Sequence, residues 1–193
     1  PRLATIIIDG QVDGGNNSGI FVLSGTWPTE GYDFYGTQTD ITVAAGAAVA
    51  GSVGITAQSS VGNYYGPARI NLTNAGTITG SGGIAMQAID PWRNGFDSID
   101  NQESGRIGAI IGTIGRLTNA GLIDGGTLSA IDQSSDYNSS VYPDGWTNSG
   151  TIRSASSSAT IANLNTPFFA LINSGTIANT GNGIAIQGRG NGG

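Results

Sequence analysis

The chain contains no cysteine, no histidine and no lysine, and only 10% of its 193 residues are charged. Without cysteine there is no disulfide scaffold and no thiolate to hold a metal. Without histidine there is no Ser-His-Asp or Cys-His nucleophile system, and with both absent the common zinc ligand sets are gone. Charge is scarce where about 25% is usual. Thirteen acids against seven arginines give a net charge of −6, which argues against nucleic acid as a partner. No apolar run approaches the ~18 residues of a membrane-spanning helix. Pro1-Arg2-Leu3 carries no signal-peptide pattern, so any export signal is expected to have been removed or to lie outside this sequence.

What is present is glycine and short aliphatic runs. Glycine fills 33 of 193 positions, more than twice the ordinary share of about 7%. So much Gly, Asn, Ser and Thr is compatible with disorder, but Val and Ile recur in register, which a disordered segment does not require. The stretch from Asn173 to Gln187 contains the pattern in miniature. Ile177 follows an Asn-x-Gly turn, and Ile184 alternates with Ile186. Alternation with a period of two is the strand signal, and Gly, Asn and Thr clusters supply the turns. Two such strands bury nothing by themselves, so neighbours must stack on them.

The chain supplies those neighbours. A Gly followed by Val or Ile two or three residues later recurs at Gly10, Gly46, Gly76, Gly105, Gly121, Gly150 and Gly175. A second apolar element follows most copies, strongest at Gly19, Gly54, Gly83 and Gly183 and weaker at Ile110-Ile111, Leu128-Ser129-Ala130 and Ala159-Thr160-Ile161. A third precedes many, as at Ile6–Ile8, Ile41–Val43, Ile70–Leu72, Leu117-Thr118 and Leu171-Ile172. Three short strands per repeat without helical periodicity predict an all-β, single-stranded parallel β-helix of about seven coils. One domain is expected to span 1–193. Val12, Val49, Ile78, Ile107, Ile123, Ile152 and Ile177 should form one interior stack. Asn74, Asn119, Asn148 and Asn173 should mark a recurring corner with a structural role, suited by tolerance of the left-handed conformation and by amide stacking. Leucine-rich repeats lack a match in leucine spacing, and a β-sandwich would not repeat the same Gly corner.

Repeat length varies because insertions enter after the second strand, at Ser24–Asp40, Gln58–Pro67, Ala88–Asp100, Asp132–Gly145 and near Asn163–Phe168. Twelve of the fourteen aromatic residues fall in or beside these insertions, Phe96 among them, and only Phe21 and Trp146 in regular strands. Insertions at equivalent points emerge on one side of a solenoid. Trp27, Tyr32, Tyr35, Tyr64, Tyr65, Trp92, Tyr137 and Tyr142 are therefore the expected contact residues, offering flat apolar faces with polar handles.

The runs LTNAGTITGSGGIAM from Leu72, WTNSGTI from Trp146 and INSGTIANTGNGIAIQG from Ile172 resemble the passenger domains of Gram-negative autotransporters, and ITVAAGAAVAGSVGI from Ile41 has the same character. The resemblance covers about Ile41 to Gly188. It implies a right-handed β-helix, exported and displayed or released at the cell surface. The family's C-terminal membrane barrel is not in this sequence, so membrane association is expected only through an anchor outside it.

Carboxylates are the remaining candidates for chemistry. Asp90 and Asp132 occupy like positions two coils apart, roughly 9–10 Å by strand spacing, a separation that suits an inverting glycosidase. Solvated turn-capping acids are the expected reading. Asp97, Asp100 and Glu103 lie close in sequence but lack a Ca²⁺-loop pattern, so no metal is assigned. Gly188–Gly193 matches G-x-G-x-x-G only as a product of glycine content. No catalytic residue and no cofactor is expected. The sequence thus predicts a non-enzymatic surface protein, a β-helical stalk or adhesin that contacts glycans or proteins through its insertions. A polysaccharide-degrading enzyme and a self-assembling filament or surface-layer subunit, stacked head to tail, are the alternatives.

Overall fold

The computed structural model describes residues 2–24, 37–59, 68–89, 94–133, 144–165 and 170–189. These residues form 21 short strands and no helix. The strands sort into three seven-stranded sheets, each built from every third strand. The first sheet takes Arg2–Ile8, Thr37–Val43, Ala68–Asn74, Gly95–Asn101, Thr113–Asn119, Gly145–Asn148 and Leu171–Asn173. The second takes Gln11–Asp13, Ala48–Ala50, Thr77–Ile78, Arg106–Ile107, Leu122–Asp124, Thr151–Ser154 and Thr176–Asn179. The third takes Ile20–Ser24, Ile55–Ser59, Ile84–Ile89, Ala109–Ile111, Ile131–Asp132, Ala159–Asn165 and Ile184–Arg189. Pairing is parallel in all three, each strand meeting its counterpart one coil on. Seven coils of one strand per sheet make a parallel β-helix.

The core is a set of vertical rows, because a parallel pairing in register puts like positions on top of one another. In the second sheet, Val12, Val49, Ile78, Ile107, Ile123, Ile152 and Ile177 form the expected unbroken row. The five inner members are almost completely buried, while Val12 and Ile177 are partly open at the two ends. The first sheet contributes Ile6, Ile41, Leu72, Ile99, Leu117, Trp146 and Leu171. The third contributes Ile20, Ile55, Met86, Ile110, Ile131, Ile161 and Ile186. Three apolar columns, aliphatic but for Trp146 and Met86, face one another and fill the interior, and β-branched side chains suit the pleated wall.

The corner between the first and second sheets holds a fourth row: Ile8, Val43, Asn74, Asn101, Asn119, Asn148 and Asn173. From the third coil on it is an amide ladder. Nδ2 of Asn74 donates to Oδ1 of Asn101 at 2.8 Å, and the same bond recurs from Asn101 to Asn119 at 2.7 Å, Asn119 to Asn148 at 2.6 Å and Asn148 to Asn173 at 2.7 Å. Four of these side chains are fully buried, so the ladder is what makes their burial tolerable. The corner glycines serve the same close stacking. A Cβ on Gly150 would collide with the carbonyl oxygen of Gly121, and one on Gly175 with that of Gly150.

Four expectations need correction. The ladder asparagines do not adopt the left-handed conformation; Asn163 is the one described non-glycine residue that does, at φ 57°. Asn101 belongs to the ladder although Gln102, Glu103 and Ser104 separate it from Gly105. Phe96 is no insertion residue: it is wholly buried in the strand Gly95–Asn101, between Ile70 and Ile114. In the fifth coil the third-sheet strand is Ile131–Asp132, and Leu128–Ala130 form the turn before it.

Candidate contact surface

The seven coils turn three corners each, and the three differ in tolerance. The Asn corner takes two or four residues in every coil. The connection from the third sheet back to the first varies from the single residue Gly112 in the fourth coil to twelve residues, 25–36, after the first. Connections after the second, third, fifth and sixth coils leave and return at the same corner, as 60–67, 90–94, 133–144 and 166–170. Every insertion is therefore rooted on one edge of the solenoid. Gly112 closes its coil with φ 134° and donates its N–H to the Asp132 carbonyl at 2.9 Å.

The expected contact residues Trp27, Tyr32, Tyr35, Tyr64, Tyr65, Trp92, Tyr137 and Tyr142 all lie outside the described residues, as does Asp90. What is fixed is the position of their attachment points. With Phe96 reassigned to the core, eleven of the fourteen aromatics lie between those points, leaving Phe21, Phe96 and Trp146 in strands. Phe21 faces outward and is half exposed; Trp146 sits in the core row between Leu117 and Leu171.

The outer face of the first sheet starts at the insertion edge and is polar. Nδ2 of Asn71 donates to Asp40 at 2.8 Å and Ser98 Oγ donates to Asn71 Oδ1 at 2.9 Å, with Arg116 next in the same row. Arg69 meets Asp97 at 2.7 Å and Arg116 meets Asp144 at 3.2 Å. On the second sheet's outer face Asp124 and Arg153 are register partners, their charged groups 2.7 Å apart, as consecutive coils require. Each of these solvent-facing pairs contributes at most about 1 kcal/mol.

The acids weighed in the sequence as candidates for chemistry are placed separately along the coils. Asp97 is held by Arg69, Asp100 sits between Thr73 and Thr118 in its row, and Glu103 is exposed in the Asn101–Gly105 turn. Asp132 accepts a hydrogen bond from Asn163 Nδ2 at 2.8 Å. Among the described residues no three acids come together as a metal site.

The fold places the chain among the parallel β-helix repeat proteins, with three sheets and one variable edge. No protein-family model, curated protein or solved structure matches it.

Proposed function

We propose that this chain is a non-enzymatic, exported surface protein: a β-helical stalk or adhesin of the autotransporter-passenger type, displayed outside a Gram-negative cell. Its rigid coils carry a contact surface made by the insertions. The observation that carries this reading is the common root of all five insertions, combined with the eleven aromatics in or beside them. Large rings normally fill cores, and here the core is mostly Ile, Leu, Val, Ala and Met, joined by Phe96 and Trp146. Tyr and Trp stack on sugar rings and anchor protein interfaces with little loss of conformational freedom. The polar first-sheet face beside that edge offers carboxylate, amide and guanidinium groups to a hydroxyl-rich ligand. The passenger resemblance supports export and display. Binding of the purified chain to immobilised glycans and to host-type surface proteins tests the reading. Saturable binding lost on replacing the insertion aromatics supports it, and release of reducing ends from a polysaccharide would replace it with an enzymatic one.

A further inference from the structure

Three Asn-Gly pairs occur in the sequence, Asn94-Gly95, Asn182-Gly183 and Asn191-Gly192, the last outside the described residues. Such pairs favour attack of the backbone on the asparagine side chain, because glycine has no Cβ to shield its nitrogen and bends readily. The two described pairs sit in opposite surroundings. Asn94 is fully buried; its Oδ1 accepts from the Ala68 N–H at 2.8 Å and its Nδ2 donates to the Ile89 carbonyl. That one side chain ties the first and last strands of the third coil together. Asn182 is exposed in the turn between the second and third sheets of the seventh coil, and its amide meets no hydrogen-bond partner among the described residues. The tip of this turn is open in inner coils as well: Gly82, Gly126 and Ser157 are exposed there with a coil on either side. The exposure of Asn182 therefore belongs to the corner.

Packing fixes the second member of this pair. A Cβ on Gly183 would collide with the Ser158 carbonyl oxygen of the sixth coil, so the stack demands glycine there. Gly183 N donates to the Ser156 carbonyl at 3.2 Å, the long limit for such a bond, and a small opening of the turn frees it. We propose that Asn182 is a site of spontaneous deamidation, and that burial and hydrogen bonding protect Asn94 from the same reaction. The Gly183 nitrogen attacks Asn182 Cγ, the Cγ–Nδ2 bond breaks, and the amide leaves as ammonia with the proton that the nitrogen gives up. Water then opens the cyclic imide at either of its carbonyls, yielding aspartate or isoaspartate. Both products add a negative charge to the turn, and isoaspartate also adds a methylene to its main chain.

The test incubates the intact chain at mildly alkaline pH, native and in parallel unfolded in urea, and follows both sites over time by peptide mass spectrometry with fragmentation. In urea Asn94 and Asn182 should convert at similar rates, since each precedes glycine. In the native chain Asn182 should convert at a rate close to that in urea. Asn94 should slow by at least about tenfold on folding, because reaction there must await local opening of the third coil. Aspartate and isoaspartate should both be found at position 182. Equal native rates at the two sites would overturn the inference, as would a slowing of Asn182 on folding as strong as that of Asn94.

Discussion

Two corners of the same coil behave in opposite ways. The corner between the first and second sheets is two or four residues long throughout, and its interior position is either aliphatic or a rung of the amide ladder. The corner between the third and first sheets ranges from one residue to twelve and gathers most of the aromatics. The difference is one of physical constraint. At the first corner backbones of successive coils touch, so a Cβ on Gly150 or Gly175 has no room, and buried amides demand partners. At the second, the length and composition of the connection differ from coil to coil.

The largest effect should come from breaking the constrained corner in the middle. Asn119→Leu removes the acceptor of Asn101 Nδ2 and the donor to Asn148 Oδ1, both buried. It should cost about 4 kcal/mol in urea unfolding, since each orphaned buried group costs about 1–3 kcal/mol. The same change at exposed Asn173 orphans only one buried group, Asn148 Nδ2, and should cost about 2 kcal/mol, and equal costs would show that the ladder carries no weight.

The contrast between aliphatic and amide solutions can be sharpened at two valines. Val49→Asn puts an amide among Val12, Ile78 and other apolar groups. Val43→Asn instead meets the unpaired Oδ1 of Asn74 and extends the ladder by a rung. Both lose apolar burial, so the second should be milder by about 1–2 kcal/mol. Thermal melts that rank them the other way would contradict the ladder's direction. A smaller effect belongs to the outer face: Asp124→Ala removes the partner of Arg153, a pair that is partly exposed. It should change stability by less than about 1 kcal/mol, and the difference should vanish at high salt.

Much of the scaffold was legible in the sequence. The row from Val12 to Ile177 could be read because a glycine precedes each member by two or three positions, and packing forbids a side chain at most of those corners. Asp124 and Arg153 followed from the same register. Asn101 was hidden because its turn has two extra residues, which moves the glycine out of the pattern without moving the amide out of its row. Phe96 misled for a different reason: the connection after the third coil is only residues 90–94, so the fourth coil's first strand begins where an insertion was expected, and one large ring fits the wall between Ile70 and Ile114. The left-handed role expected of the asparagines was wrong because their value lies in the side chain, with the backbone staying in ordinary geometry. The proposed contact surface was legible only as composition plus rooting point, since ring positions within an insertion depend on contacts that no local pattern encodes.

The constrained corner holds the fold, and the variable corner is the one proposed to make contact. The direct measurement is the triple replacement Tyr64→Ser, Tyr65→Ser and Trp92→Ser, read by ligand binding and by circular dichroism on the same sample. Binding should fall at least about tenfold, equivalent to about 1.4 kcal/mol, with the strand spectrum and unfolding midpoint unchanged. A protein that unfolds on this replacement, or that binds as before, would contradict it.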